Sequence, residues 1–121
     1  MQMSEKILQF LSEPARETPF LVLDLDLVVE RFREVKIALP DIDVYYAVKA
    51  NPADEIITAL ADEGSCFDVA SIPEMEAGVR LGISADRMSY GHTIKKESDI
   101  EKAHAAGIDL FAFDSAAEME K

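Results

Sequence analysis

Short apolar runs alternate with longer amphipathic ones along this chain, and Pro and Gly mark the boundaries between them. A first helix is expected from about Ser4 to Leu11, and Pro14 and Pro19 bracket an extended linker after it. FLVLDL, from Phe20 to Leu25, reads as a buried strand. Leu27, Val28, Phe32, Val35 and Leu39 recur at helical spacing, and Pro40 stops that helix. Strand and helix then alternate four times. VYYAVK (Val44 to Lys49) precedes a helix opened by Asn51-Pro52, with Pro in the favoured first turn. CFDVAS (Cys66 to Ser71) precedes a helix that opens at Ser71, carries Pro73 and Glu74 in its first turn and ends at Gly82. MSYG (Met88 to Gly91) precedes a helix from Lys96 to Ala106, closed by Gly107. DLFAFD (Asp109 to Asp114) leads into SAAEMEK, capped by Asp114 or Ser115.

Strands that alternate with helices imply a parallel sheet with right-handed crossovers, either a barrel or an open doubly wound sheet. The polar residues of these strands gather at their C-terminal ends, where barrel enzymes keep their chemistry, and this favours the barrel. A complete eight-stranded barrel takes roughly 200–250 residues, so four units amount to about half of one. The α/β reading is therefore a partial (β/α) barrel. Residues 1–40 form a helix, strand and helix that lead in, and residues 41–121 form the first half of the barrel. Such a chain is expected to be incomplete, either truncated or one piece of a larger assembly, and its unpaired strand edges invite self-association.

Composition narrows the function. With 121 residues, 49% hydrophobic and 30% charged, the chain is an ordinary globular sequence about one small domain long. A net charge of −12 would repel phosphate backbones, so no nucleic-acid partner is expected. Cys66 is the single cysteine and can form no intrachain disulfide. The N-terminus lacks the basic region of a signal peptide, and no apolar run approaches the ~18 residues of a spanning helix. The expected setting is the cytoplasm, with no membrane partner.

Chemistry is concentrated at two strand ends. Alternation puts Tyr45, Ala47 and Lys49 on one face of the first barrel strand and Val44, Tyr46 and Val48 on the other. Lys49 then projects from the strand's C-terminal end into a low-dielectric interior. There its pKa should fall, and its amine could form a Schiff base with an aldehyde such as pyridoxal phosphate. The alternative is a lysine that snorkels outward or meets a carboxylate. On the next strand Cys66, Asp68 and Ala70 share a face, which places Asp68 level with Lys49 as a charge partner or a structural ion pair. Ser71 and Glu74 fit a capping box, and Glu74 would reach a ligand only if its side chain turned back. His92 and His104 lack partners at ligand spacing, so no metal is expected, and no GxGxxG phosphate loop is present.

These segments carry a resemblance. TPFLVLDLDLVVERF, YYAVKANP, GSCFDVASIPEME, RMSYGHTIKK and GIDLFAFDSAAEMEK resemble, in order and spacing from Thr18 to the last residue, the ornithine, lysine/ornithine, diaminopimelate and arginine decarboxylases. These are pyridoxal-phosphate enzymes with an alanine-racemase-like barrel. RMSYGHTIKK is most similar to the ornithine and lysine/ornithine members, with His92 standing where they favour Asn. The resemblance implies that Lys49 is the catalytic residue that binds pyridoxal 5'-phosphate covalently, with Ala47, Asp68 and Glu74 around the cofactor. It implies decarboxylation of a basic amino acid, foremost L-ornithine to putrescine in polyamine biosynthesis, by a homodimer whose sites form at the subunit interface. It also assigns the FLVLDL strand to a β-domain built mainly from the far end of such chains. The phosphate loop and the partner of the pyridine nitrogen would lie beyond residue 121, so the isolated chain is expected to be inactive. The other readings are a non-catalytic homologue of the same fold, a diaminopimelate or lysine decarboxylase, and a generic α/β ligand-binding module.

Overall fold

The computed structural model describes residues 3–13 and 17–121. Helix α1 (Glu5–Ser12) starts at Ser4, whose Oγ accepts from the Ile7 amide at 3.2 Å. The stretch expected as a strand at Phe20–Leu25 is not one. Residues 20–24 form no strand and have no ladder partner among the described residues, and Leu25 already opens helix α2 (Leu25–Ala38). Apolarity suggested the strand, but a strand needs a neighbour to receive its backbone bonds. Here the Asp24 carboxylate accepts from the Asp26 amide at 3.1 Å and turns the chain into a helix. Phe20, Leu21 and Leu23 are exposed rather than buried. The ring of Phe20 meets Phe10 of α1 edge-on at 6.2 Å. Pro14, one end of the expected linker, lies outside the described residues.

From residue 45 onward the alternation holds. Strands β1 (Tyr45–Ala47), β2 (Cys66–Val69), β3 (Met88–Tyr90) and β4 (Leu110–Phe111) form one sheet in the order β1-β2-β3-β4. Every pairing is parallel. Helices α3 (Asp54–Asp62), α4 (Ile72–Arg80), α5 (Glu97–Ala105) and α6 (Ala116–Met119) follow the strands in turn. Pro52 sits just ahead of α3 rather than in its first turn, because Asn51 Oδ1 accepts from the Ala53 amide at 3.1 Å and delays the start. Gly82 and Gly107 close α4 and α5 with φ of 80° and 97°, the left-handed conformation glycine adopts freely.

The strands have two unlike faces. Tyr46, Phe67, Met88 and Tyr90 point toward the helices and merge with Ile56, Ile57, Leu60, Met75 and Ala103 into one core. Phe67, Val69 and Tyr90 are each 1% exposed. The fit is close: a Cβ on Gly78 of α4 would stand 2.7 Å from Met88 Cε. The opposite face, with Ala47, Cys66, Asp68 and Ser89, remains half-exposed. A parallel sheet whose helices share one core on a single side is the arc of a (β/α) barrel, here its first four units.

Buried and half-buried charges tie the units together. Arg87 donates to the carbonyls of Ala61 at 2.9 Å and Ser65 at 2.6 and 3.2 Å, closing the turn between α3 and β2. Lys95 and Glu118 pair at 2.9 Å with both side chains 3% exposed. Lys121 Nζ joins them at 2.6 Å from Glu118 Oε2. Those bonds, from Lys121 first and Lys95 second, hold the Glu118 carboxyl down at about 2. Among the described residues no helix is long and apolar enough to cross a membrane.

Candidate active site at the C-terminal ends of the strands

Lys49 is not a strand residue. β1 ends at Ala47, and Val48–Ala50 form a single 3-10 turn. Strand alternation therefore stops governing its direction, and Lys49 is exposed rather than enclosed. The low-dielectric surroundings expected for it are not formed by these four strands. Its backbone is nonetheless fixed on both sides. Val48 is 2% exposed, and Tyr46 Oη donates to the Asn51 carbonyl at 3.1 Å across the turn. The ion pairs among the described residues do not include Lys49.

The sheet register lines up the remaining candidates. Asp68 on β2 is the neighbour of Ala47 on β1 and of Ser89 on β3, so the three form one row on the half-exposed face. Lys49 lies two residues beyond that row, past the last pair of β1, so Asp68 is level with Ala47 and not, as expected, with Lys49. Asp68 bonds away from β1: Ser89 Oγ donates to its Oδ1 at 2.6 Å. Cys66 lies on the same face, where burial above all pushes its thiol up, away from the reactive thiolate.

Glu74 and Ser71 do not form the expected capping box, because the Glu74 side chain turns back one residue past the N-cap. Its Oε2 accepts from the Ala70 amide at 2.8 Å, whereas Ser71 holds the N-cap position without a side-chain cap bond. The expected Ser71 cap is thus absent, and the reach-back bond from Glu74 fixes the start of α4. The His92 side chain is exposed, and its carbonyl accepts from Lys95 Nζ at 3.0 Å. Ser89 and Gly91 lie against Asp68 and were not among the expected site residues, since neither has a charge or a titratable group to draw attention. Their signal was positional: Ser89 is the β3 residue that shares the strand face of Asp68. An apolar groove of about 800 Å³ lies elsewhere, along the free edge of β1 between Val22, Leu23, Phe32 and Val44, and includes neither Lys49 nor Asp68.

A half-barrel that presents an exposed amine just past β1 and a carboxylate on the half-exposed face of β2 defines a class of protein that can hold a carbonyl-bearing cofactor through a lysine. The sequence profile of a family described as "Pyridoxal-dependent decarboxylase, pyridoxal binding domain" matches residues 25–121, and the chain belongs to that family. It is 39% identical over 120 residues to the lysine/ornithine decarboxylase of Selenomonas ruminantium, covering 99% of this chain and 30% of that protein. It is 45% identical over 103 residues to the chloroplastic ornithine decarboxylase of Nicotiana glauca, covering 85% of this chain and 24% of that one. The crystal structure of lysine decarboxylase from S. ruminantium superposes with a TM-score of 0.86 at 38% identity, over 99% of this chain and 32% of that one. Lysine/ornithine decarboxylase from Vibrio vulnificus, complexed with putrescine, gives a TM-score of 0.78 at 36% identity, over 81% of this chain and 27% of that one. The chain thus spans less than a third of the length of these relatives.

Proposed function

We propose that this chain is the lysine-bearing portion of a pyridoxal-phosphate-dependent decarboxylase of basic amino acids, acting on L-ornithine to give putrescine. The observation that carries the reading is the placement of Lys49: an exposed amine on a backbone turn pinned by Val48 and by the Tyr46–Asn51 bond, at the C-terminal end of a barrel strand. The residues present fit the aldehyde end of the cofactor. Lys49 is exposed and so accessible to a carbonyl carbon, Ala47 two residues before it offers no bulk, and Asp68 supplies a carboxylate on the adjacent strand. When bound, pyridoxal phosphate supplies the carbonyl for an amine and the electron sink for loss of a carboxylate. Lys49 would hold it, give it up to the incoming amine of the substrate and take it back afterwards. Asp68 and Glu74 would orient it, Glu74 while keeping its bond to the start of α4.

The names of the relatives support ornithine and lysine as the substrate class. Turnover, a homodimeric assembly and a role in polyamine synthesis are proposed for the whole protein. Residues 1–121 alone are expected to take up the aldehyde without releasing carbon dioxide. The test is borohydride reduction of the purified chain with pyridoxal phosphate, followed by peptide mapping. A pyridoxyl adduct confined to Lys49 is the expected result. Labelling spread over the other lysines, or none at Lys49, overturns the assignment. Carbon dioxide release from ornithine and from lysine by the whole protein then decides between the two substrates.

A further inference from the structure

Asp68 sits midway between two neighbours, and its carboxylate can lean toward β1 or toward β3. It leans toward β3, into a space that exists only because residue 91 has no side chain. A Cβ on Gly91 would stand 2.1 Å from Asp68 Oδ1, 2.3 Å from Oδ2 and 2.5 Å from Cγ. The Gly91 backbone is held in place, since its amide donates to the Val69 carbonyl at 2.9 Å and extends the β2–β3 ladder. Its φ is not among the positive ones, so space rather than backbone conformation calls for glycine here. Ser89 Oγ, at 2.6 Å from Oδ1, completes the seat.

We propose that Ser89 and Gly91 are a positioning pair that parks the Asp68 carboxylate over β3 and so keeps it from pairing with Lys49. The inference rests on Lys49 being the aldehyde-binding residue. Only the unprotonated amine attacks a carbonyl. In that step a C=N bond forms at the aldehyde carbon, and the carbonyl oxygen leaves as water with the two amine hydrogens. A carboxylate in contact with an ammonium favours the charged form and withholds the nucleophile.

The experiment titrates the 121-residue chain with pyridoxal phosphate at neutral pH and quantifies the borohydride-trapped adduct at Lys49. The carboxyl carbon resonance of Asp68 is followed in the aldehyde-free chain. Ser89→Ala should raise the half-saturating concentration by about two- to fivefold, the ratio an ordinary part-exposed ion pair represents. It should also move the Asp68 resonance. Ser89→Thr keeps the hydroxyl and should restore both, Gly91→Ala should act like Ser89→Ala, and Asp68→Asn should abolish the effect of Ser89→Ala. An adduct at Lys49 that is indifferent to Ser89, or that responds equally in the Asp68→Asn background, overturns this inference alone. The absence of any Lys49 adduct in the unsubstituted chain overturns the function proposed above together with it.

Discussion

Removing the Glu74 carboxylate tests how α4, and with it the loop that follows β2, is held. The residue just before the α4 N-cap also has an amide to satisfy, and the segment entering α4 does so with one side-chain bond. That bond is Ala70 N to Glu74 Oε2 at 2.8 Å, and the Ser71 hydroxyl contributes none. Loss of a capping side chain costs about 0.5–2 kcal/mol, and a negative charge at a helix N-terminus is worth about 0.3–1 kcal/mol. Glu74 is half-buried, so Glu74→Ala is expected to lose both contributions, about 1–3 kcal/mol in all. Glu74→Gln keeps an oxygen in the same place and should lose only the charge, about 0.3–1 kcal/mol. For a chain of this size a loss of ~1 kcal/mol lowers Tm by about 3–6 °C. Urea unfolding followed by circular dichroism should rank the unsubstituted chain first, Glu74→Gln second and Glu74→Ala last. Equal stability of Glu74→Gln and Glu74→Ala, or of Glu74→Ala and the unsubstituted chain, would refute the claim that this bond holds the segment entering α4.

Three other perturbations probe the parts of the fold that carry the site. Phe67→Ala empties a position that is 1% exposed and meets Tyr46 edge-on at 6.4 Å, and it should cost about 3–5 kcal/mol in urea unfolding. A loss below ~1 kcal/mol would mean that β2 is not packed under the helices as described. Arg87→Met strips charged donors from the Ala61 and Ser65 carbonyls, so a loss of about 1.5–3 kcal/mol is expected, with earlier amide exchange in the turn between α3 and β2. The Glu118 carboxyl, held at about 2 against an ordinary 4.5, makes stability depend on acid. Its contribution is complete above the ordinary value and is lost as pH falls from there toward about 2, where the folded form also takes up the proton. The urea midpoint should fall over that range, and Glu118→Gln should flatten the fall.

Where one face of a strand is covered and the other is not, the sequence told them apart. Phe67 and Val69 alternate with Cys66 and Asp68, and the alternation survived because β2 is a central strand with helices on one side only. It failed at two places for one reason, that pairing is a property of neighbours and not of a segment. FLVLDL is apolar enough for a strand but has no ladder partner among the described residues. VYYAVK stops pairing after Ala47, so the face assigned to Lys49 no longer applied. The buried charges were illegible for a related reason. Arg87 finds its carbonyls 22 and 26 residues away, and the Lys95 amide meets Glu118 at a separation of 23. Nothing local in RMSYGHTIKK or SAAEMEK marks those side chains as interior.

Lys49 and Lys95 show why burial alone is a poor guide to a reactive lysine. Both follow a barrel strand, and the argument from a low-dielectric interior would have chosen Lys95, which is 5% exposed, over the exposed Lys49. An ammonium has three hydrogens to donate. Lys95 Nζ places them on the carbonyls of His92 and Ala112 and on Glu118 Oε1. Freeing that amine would break three bonds and leave a buried carboxylate short of a partner, which makes Lys95 a structural cation. Among the described residues Lys49 has no such ties, while its backbone is held by buried Val48 and the Tyr46–Asn51 bond. A nucleophile needs a fixed backbone and an uncommitted head group. Lys49 meets both conditions and Lys95 only the first, so reductive labelling with pyridoxal phosphate should mark Lys49 and leave Lys95 unmodified until the chain unfolds.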